Sequence, residues 1–128
     1  MKIKLTSVFV NDQNKALDFY TKTLGFVKKT DISAGNYRWL TVVSSEDPSG
    51  SQLVLEPNAN PAARTYQESI FKQGIRTTMF FVDDIQKEYQ RLKKLGVNFT
   101  MEPTKTTGST IAMFDDTCGN VVQITQLG

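Results

Sequence analysis

Three residues in the sequence carry side chains that could take part in chemistry: Glu56, Cys118 and Gln123. Glu56 ends an apolar run, where a buried carboxylate could act as a general base. Cys118 is the only cysteine, and Gln123 follows it closely in the stretch FDDTCGNVVQI (residues 114–124). A thiolate is a nucleophile, and an amide can hold a metal or an organic ligand. The stretch therefore combines a candidate nucleophile with a candidate ligand.

The chain has no histidine, and this absence excludes most familiar catalytic sites. Histidine is the usual general base near neutral pH and a common metal ligand. Without it, one chain cannot build Ser-His-Asp or Cys-His catalysis, a 2-His-1-carboxylate iron site, or a zinc site that uses histidine. Asp115 and Asp116 also precede Cys118 closely, and their charge disfavours the thiolate. We therefore interpret Cys118 as a turn residue before Gly119.

The composition is typical of a globular protein of one domain. The 128 residues are 39% hydrophobic and 22% charged, with a net charge of +2 at pH 7. Lysines and arginines are scattered, so no basic patch predicts nucleic-acid binding. No apolar run approaches the ~20 residues that span a bilayer, and a single cysteine forms no intrachain disulfide. We therefore expect a cytoplasmic protein with no nucleic-acid or membrane partner.

Two stretches of the chain repeat one pattern. LTSVFVNDQNKALDFYTKTLGF (residues 5–26) aligns with RTTMFFVDDIQKEYQRLKKLGV (residues 76–97) at an offset of 71. Each stretch reads as an apolar strand, an acidic turn, an amphipathic helix and a final Leu-Gly. Asp12 in the first, and either Asp83 or Asp84 in the second, is placed to cap the helix.

The last strands of the two halves repeat as well. DPSGSQLVL (residues 47–55) aligns with DTCGNVVQI (residues 116–124) at an offset of 69, and both read as a turn followed by an apolar strand. Each half has room for two more strands, one of them near residues 36–44 in the first half and 108–114 in the second. Each half is therefore predicted to be β-α-β-β-β, with a crossover that becomes helical between them.

This duplicated pattern resembles the vicinal oxygen chelate superfamily, also described as glyoxalase/bleomycin-resistance/dioxygenase proteins. The segments that carry the resemblance are VNDQNKALDFYTKTLGF, FFVDDIQKEYQRLKKLGVNF and FDDTCGNVVQITQ. The resemblance implies an α+β fold in which two tandem βαβββ modules curl a mixed β-sheet around a shared cleft. It implies one domain over residues 1–128, with module 1 at about 1–58, the crossover at about 57–74 and module 2 at about 75–128. Family members often dimerise, so we expect a homodimer.

The resemblance also implies where a metal would bind. In metal-dependent members, one residue on the first strand and one on the last strand of each module bind a divalent ion. Those positions fall here at Leu5 and Thr77, and at Val54 (or Glu56, with the same facing) and Gln123. Aliphatic side chains do not bind metals, and one amide with one carboxylate falls short of the roughly four to six donors that a catalytic metal needs. We therefore predict no metal and no other cofactor.

Strand alternation predicts which side chains would line the cleft. They combine apolar and aromatic groups with a few amides and hydroxyls and one carboxylate. The predicted ligand-binding residues are Ser7, Phe9, Trp39, Gln52, Glu56, Thr77, Met79 and Gln123. Trp39 could equally belong to the core, because the sequence does not fix the faces of Arg38, Trp39 and Met113. Gln123 could be a residual metal ligand, a ligand-binding amide or an edge residue that faces water.

Three functions fit this pattern. The first is metal-free binding of a small, partly apolar organic molecule, for antibiotic sequestration or as a ligand carrier, because an apolar concave site with few polar groups suits such a ligand. The second is a glyoxalase-like lyase or isomerase, in which Glu56 and Gln123 use a weakly held divalent metal and Glu56 is the candidate catalytic residue. The third is an interaction module with a vestigial cleft. Whether the protein is an enzyme stays open.

Overall fold

The structure, a computed structural model, describes all 128 residues. The first module contains β1 (Leu5–Val10), α1 (Gln13–Asp18) with a π-helical continuation (Phe19–Thr23), β2 (Val27–Ala34), β3 (Tyr37–Val43) and β4 (Gln52–Pro57). The crossover contains α2 (Pro61–Lys72). The second module contains β5 (Arg76–Phe81), α3 (Ile85–Lys94), β6 (Phe99–Thr106), β7 (Ser109–Asp115) and β8 (Val121–Leu127). The predicted α+β class, with two βαβββ modules in tandem, is confirmed.

The chain divides into two compact units, Met1–Thr65 with module 1 and Tyr66–Gly128 with module 2. Each module forms one four-stranded mixed sheet, with strand orders β1-β4-β3-β2 and β5-β8-β7-β6, and neither sheet closes on itself. The first and last strands of each module pair in parallel, and the remaining neighbours pair antiparallel. One side of each sheet packs against the module's own helix. We call the opposite side the far face.

The core of module 1 lies between its sheet and α1 with the π-helical continuation. Asp12 begins the helix, because its carboxylate accepts a hydrogen bond from Lys15 N at 3.1 Å. Apolar side chains from alternate strand positions and from the helix are buried between the two layers. They are Val8, Val10, Ala16, Phe19, Tyr20, Leu40, Val42, Leu53 and Leu55. Burial of each larger side chain contributes about 1.5–3 kcal/mol, so this layer fixes the orientation of the sheet.

The core of module 2 is built in the same way under α3. Asp84, not Asp83, is the N-cap, and its carboxylate accepts from Lys87 N at 3.1 Å. The buried apolar stripe on α3 consists of Ile85, Tyr89 and Leu92. Tyr89 packs edge-on against Phe99 of β6 with ring centroids 4.7 Å apart, a favourable aromatic geometry.

The two helices differ by one residue, so the predicted constant offset of 71 is wrong at their starts. The N-caps Asp12 and Asp84 correspond at an offset of 72, whereas Leu24 and Leu95 at the helix ends correspond at 71. The extra residue of module 1 is absorbed by the π-helical turn, in which Leu24 N donates to Phe19 O at 3.0 Å. Such single wide turns accommodate an insertion without ending the helix.

The crossover helix α2 is attached to module 2 through one buried side chain. Gln67 is 3% exposed, and its Nε2 donates to Cys118 O at 3.2 Å and to Asn120 Oδ1 at 3.1 Å. At its other end, Asn60 Oδ1 accepts from Ala62 N at 2.9 Å and so supports the first turn. None of the helices has the length and apolar character needed to cross a membrane.

Candidate functional site

The far face of module 1 brings together the candidate residues of three strands. Ser7 pairs with Val54 and Phe9 with Glu56 in the parallel register of β1 and β4, so their side chains point to the same side. Thr41 pairs with Val54 from the other neighbour, β3. Strand alternation then places Trp39 on this face too. Ser7, Phe9, Trp39, Gln52 and Glu56 therefore share the far face of module 1.

Trp39 is not a core residue. It is 40% exposed, and Ile32, its partner on β2, is 59% exposed, so an aromatic and an aliphatic side chain stand side by side at the surface of this unit. Exposed tryptophan is uncommon because its ring contributes a large apolar area. Trp39 therefore offers a flat apolar surface to a ligand.

The polar side chains on the far face of module 1 differ in whether they already have a hydrogen-bond partner. Gln52 Oε1 accepts a hydrogen bond from the Thr41 hydroxyl at 2.8 Å, so that amide oxygen is already used by the sheet. Glu56 is partly exposed, and its carboxylate makes no hydrogen bond or ion pair. Ser7 lies on β1, which pairs in parallel with β4, and it is exposed. Glu56 is therefore a carboxylate without a hydrogen-bond partner on this face.

The far face of module 2 carries two methionines and a buried amide. Met79, Gln123 and Met113 lie in one row across β5, β8 and β7. Gln123 is 5% exposed and its Nε2 donates to Thr125 Oγ1 at 2.9 Å, which excludes the interpretation as a water-facing edge residue. Thr77 lies at a register shift at the start of β5, and its hydroxyl donates to Val121 O at 3.3 Å.

Arg38 points to the helix side of module 1 and not to the far face. Its guanidinium donates to Asp31 from Nε at 3.0 Å and from Nη2 at 3.1 Å, and to Asn14 Oδ1 on α1. The hydrogen bond from Arg38 holds the pKa of Asp31 below its usual value, and the same bond raises the pKa of Arg38. Arg38 is therefore occupied by a bidentate ion pair next to α1.

Sequence reasoning missed Gln13, which joins α1 to two strands of module 1. Its Nε2 donates to Arg38 O at 2.7 Å and to Leu55 O at 2.9 Å, and its Oε1 accepts from Arg38 N at 3.0 Å. A polar residue just after an N-cap usually faces water, so no local signal pointed to this role. Arg38 and Leu55 directly precede Trp39 and Glu56, which places Gln13 immediately behind the candidate site.

The turn before β8 is a closed hydrogen-bond network. Asp116 is fully buried and accepts from Cys118 N at 2.7 Å, Asn120 N at 3.0 Å and Asn120 Nδ2 at 2.8 Å. Cys118 is fully buried too, so its thiol is inaccessible to a substrate. Gly119 has φ +99°, a conformation that favours glycine. These contacts agree with the interpretation of Cys118 as a turn residue.

The carboxylate and thiol side chains, the strongest metal ligands in a chain without histidine, are not clustered. No three Cys, Asp or Glu side chains come together to form a group that could hold a metal ion. On the far face of module 1, Glu56 is a possible metal ligand with no hydrogen-bond partner. On the far face of module 2, the amide of Gln123 is hydrogen-bonded to Thr125. Divalent metals in proteins usually take several carboxylate, imidazole or thiolate ligands.

The family model of the Glyoxalase/Bleomycin resistance protein/Dioxygenase superfamily matches residues 2–124. The chain therefore belongs to this superfamily, which agrees with the duplicated βαβββ fold and with the resemblance found in its sequence. Membership fixes the class of protein but leaves its ligand or reaction open, since one fold supports many functions.

Individual relatives extend over the whole chain. YurT of Bacillus subtilis (strain 168) is 60% identical over 126 residues, which cover 98% of this chain and 99% of YurT. Among solved structures, UcmS2 has a TM-score of 0.84 and 31% identity, over 98% of this chain and 97% of UcmS2. TnmS3, an antibiotic binding protein from Streptomyces sp. CB03234, has a TM-score of 0.79 and 30% identity, over 100% of this chain and 97% of its own.

Proposed function

We propose that this protein binds a small, partly apolar organic molecule without a metal ion, for antibiotic sequestration or as a ligand carrier. The observation that carries the proposal is the exposed Trp39 on the same face as the unpaired carboxylate of Glu56. Ligand sites in proteins are mostly apolar, with a few polar groups that fix orientation. The similarity to TnmS3, an antibiotic binding protein, supports a ligand of this kind.

Each candidate residue has a defined part in this proposal. Trp39 stacks on a flat part of the ligand, and Phe9 on the same face of module 1 adds apolar contact area. Glu56 accepts a hydrogen bond from the ligand or pairs with a positive charge. Gln123 presents its amide from a buried position that holds it rigidly. Ser7 and Gln52 lie with Trp39 and Glu56 on the far face of module 1, and Thr77 and Met79 stay predicted ligand contacts within module 2.

A thermal-shift screen of small planar organic compounds, run beside divalent metal salts, tests the proposal. A ligand at 100 times its Kd stabilises the folded state by about 2.7 kcal/mol, which gives a clear rise in Tm. Trp39 is the only tryptophan, so its fluorescence reports binding directly. Trp39→Ala is expected to lose binding, whereas Phe71→Ala, an exposed aromatic on α2, keeps it. Stabilisation by metal salts and by no organic compound would contradict the proposal.

The unpaired carboxylate of Glu56 also supports a second candidate function. It is the group that a glyoxalase-like lyase or isomerase would use as a base, with Gln123 as a further ligand of a weakly held metal. This function requires stoichiometric Zn, Ni or Mn in the purified protein and activity that is lost in Glu56→Gln or Gln123→Ala. A metal-free preparation that is insensitive to chelators would exclude it.

The expectation of a homodimer is supported by large apolar side chains that stay exposed within each unit. Phe81 is 62% exposed and Tyr37 is 54% exposed. A second copy of the chain would cover such area favourably. Sedimentation equilibrium at micromolar concentration tests this, and a monomer mass would contradict it. The cytoplasmic location stays a prediction.

A further inference from the structure

β3 and β4 of module 1 pair over three residues and then separate. Their register runs from Val43 opposite Gln52 to Thr41 opposite Val54 and stops there. Both strands continue, β3 back to Tyr37 and β4 on to Pro57. We call residues 37–40 and 55–57 the open segment. Trp39 and Glu56, two candidate ligand contacts, both lie in it.

The amide of Gln13 takes the place of the missing strand pairing. It donates to Arg38 O at 2.7 Å and to Leu55 O at 2.9 Å, and it accepts from Arg38 N at 3.0 Å. Arg38 belongs to β3 and Leu55 to β4, so one side chain connects the backbones of both separated strands. Backbone groups that have lost their ladder partners need such a substitute when they are sheltered from water.

Pro57 prevents the ladder of module 1 from continuing to Arg38. Continuing the register of β3 and β4 would place Arg38 opposite Pro57. Proline has no backbone N–H, so it cannot donate to Arg38 O in an antiparallel ladder. The donor comes from Gln13 on the helix instead.

Module 2 has the opposite arrangement at the corresponding positions. β7 and β8 pair from Ser109 opposite Leu127 to Asp115 opposite Val121 without a break. Gln126 occupies the place of Pro57, and Ile85 occupies the place of Gln13 as the residue after the N-cap. Here Gln126 Oε1 accepts from Ile85 N at 2.8 Å. The separation of the strands is therefore a property of module 1 alone.

We propose that Gln13 is a positioning residue for ligand binding, which keeps β3 and β4 apart and thereby sets the separation of Trp39 from Glu56. This proposal rests on the proposed function of the far face. Gln13 lies on the helix side of the sheet and does not touch the ligand. A ligand that stacks on Trp39 and bonds to Glu56 must match their spacing, so Gln13 acts on specificity through these two residues.

Three variants test this role. Gln13→Leu removes the amide at similar volume. The double variant Gln13→Ile with Pro57→Gln recreates the residues of module 2 in module 1, so that the strands can pair. Gln126→Leu is the matched control, since it removes the corresponding amide of module 2. The measurements are chemical denaturation, acrylamide quenching of Trp39 in the ligand-free protein, and affinity for Nile red, a neutral planar dye.

Gln13→Leu is expected to lower stability, to increase the quenching of Trp39 and to weaken Nile red binding by about tenfold or more. Gln126→Leu is expected to lower stability with wild-type quenching and affinity. The double variant is expected to recover stability while its Trp39 quenching stays different from wild type and its affinity stays low. In this variant stability would recover although the geometry of the site would not. A merely structural role of Gln13 predicts that both recover together.

Recovery of quenching and affinity together with stability in the double variant would overturn the proposal. If Nile red does not bind the wild-type protein, the proposed function fails for this dye, and Trp39 quenching without ligand decides the role of Gln13. Wild-type quenching in Gln13→Leu would then overturn it. If Gln13→Leu does not fold, Gln13→Glu replaces it, because the carboxylate keeps the shape and the acceptor but cannot donate to the two carbonyls.

Discussion

Modules 1 and 2 share one fold but satisfy the junction between helix and sheet in opposite ways. In module 1 the glutamine lies on the helix, at Gln13, and the strand carries Pro57. In module 2 the glutamine lies on the strand, at Gln126, and the helix begins with Ile85. Both arrangements place an amide side chain between helix and strand. Only in module 1 do the two neighbouring strands, β3 and β4, stop pairing part of the way along, and Trp39 lies where they do.

The turns before the last strands of the two modules differ in how deeply they are buried. Asp116 of module 2 is fully buried and accepts three hydrogen bonds, and Gln67 of α2 packs on the same turn. The corresponding Asp47 of module 1 is exposed. The network in module 2 fixes the start of β8, whereas module 1 keeps an exposed turn and an open segment. Module 1 therefore has an exposed turn and two strands that stop pairing early, whereas module 2 has a buried turn and continuous pairing.

The largest expected effect distinguishes the two turns through their glycines. Gly119→Ala combines a φ of +99° with a new Cβ 2.7 Å from Gln67 Nε2, so it strains the backbone and displaces a buried amide. We expect a loss of about 3 kcal/mol in unfolding free energy, from the unfavourable φ together with broken buried hydrogen bonds. Chemical denaturation measures it.

Gly50→Ala is the matched variant in module 1. Its Cβ would meet the carboxylate of Asp47, which is a flexible side chain near solvent and can rotate away. The expected loss is at most about 0.5 kcal/mol, the usual range for a surface change. Equal losses at the two glycines would mean that the turn of module 2 is no more tightly built than that of module 1.

The sequence predicted the fold well because its main determinants are local and repeated. Asp12 caps α1, and the glycines at the helix ends, Gly25 and Gly96, have φ values of +93° and +87° as a left-handed C-cap requires. These patterns occur twice in the same order, which made the βαβββ repeat readable. The sequence left the N-cap of α3 open between Asp83 and Asp84, because a π-helical turn has no sequence signature that would fix the offset between the modules.

The candidate site was less predictable because it depends on contacts between distant residues. The facing of Trp39 follows from the register of β3 against β4, which the sequence alone did not fix. The roles of Gln13 and Gln67 depend on partners 25 to 53 residues away. Glutamine on a helix is ordinarily a solvated residue, so only the assembled sheet and turn show its function.

Deletion of Lys22 tests whether the π-helical turn is only an accommodated insertion. Lys22 lies in that turn, is exposed, and pairs with Asp18 in an exposed ion pair that contributes little. Without it, the helix of module 1 has the length of the helix of module 2. We expect a loss of at most about 1 kcal/mol, measured by thermal unfolding, because the core residues up to Tyr20 keep their places.

Deletion of Lys93 is the control for this experiment. It also removes one exposed lysine, but α3 has no wide turn, so the following residues rotate by about 100° around the helix axis. Phe99, which packs against Tyr89 and Phe114, would be drawn out of position, and the loss should be several times larger. If deletion of Lys22 is equally harmful, the π-helical turn shapes module 1 in a way that module 2 does not need.

The smallest expected effect concerns the ion pair of Asp31 with Arg38, which module 2 lacks because Thr110 occupies the place of Arg38. The hydrogen bond from Arg38 lowers the pKa of Asp31 below its ordinary value of 3.8. The folded state therefore favours the carboxylate, and the stabilisation is complete above about pH 4 and lost as pH falls through the lowered pKa. Asp31→Asn should thus lower Tm slightly at pH 7, and the difference from wild type should shrink as the pH falls below about 4.

Trp39 quenching in Asp31→Asn separates the ion pair from Gln13 as the cause of the open segment. Arg38 contributes its backbone to Gln13 and its side chain to Asp31, so either contact could hold β3 in place. The ion pair is near the surface, where salt and water weaken it, whereas Gln13 bonds to two strands from a partly buried position. Asp31→Asn is therefore expected to leave Trp39 quenching at the wild-type value. A change as large as that in Gln13→Leu would assign the geometry of the open segment to the ion pair.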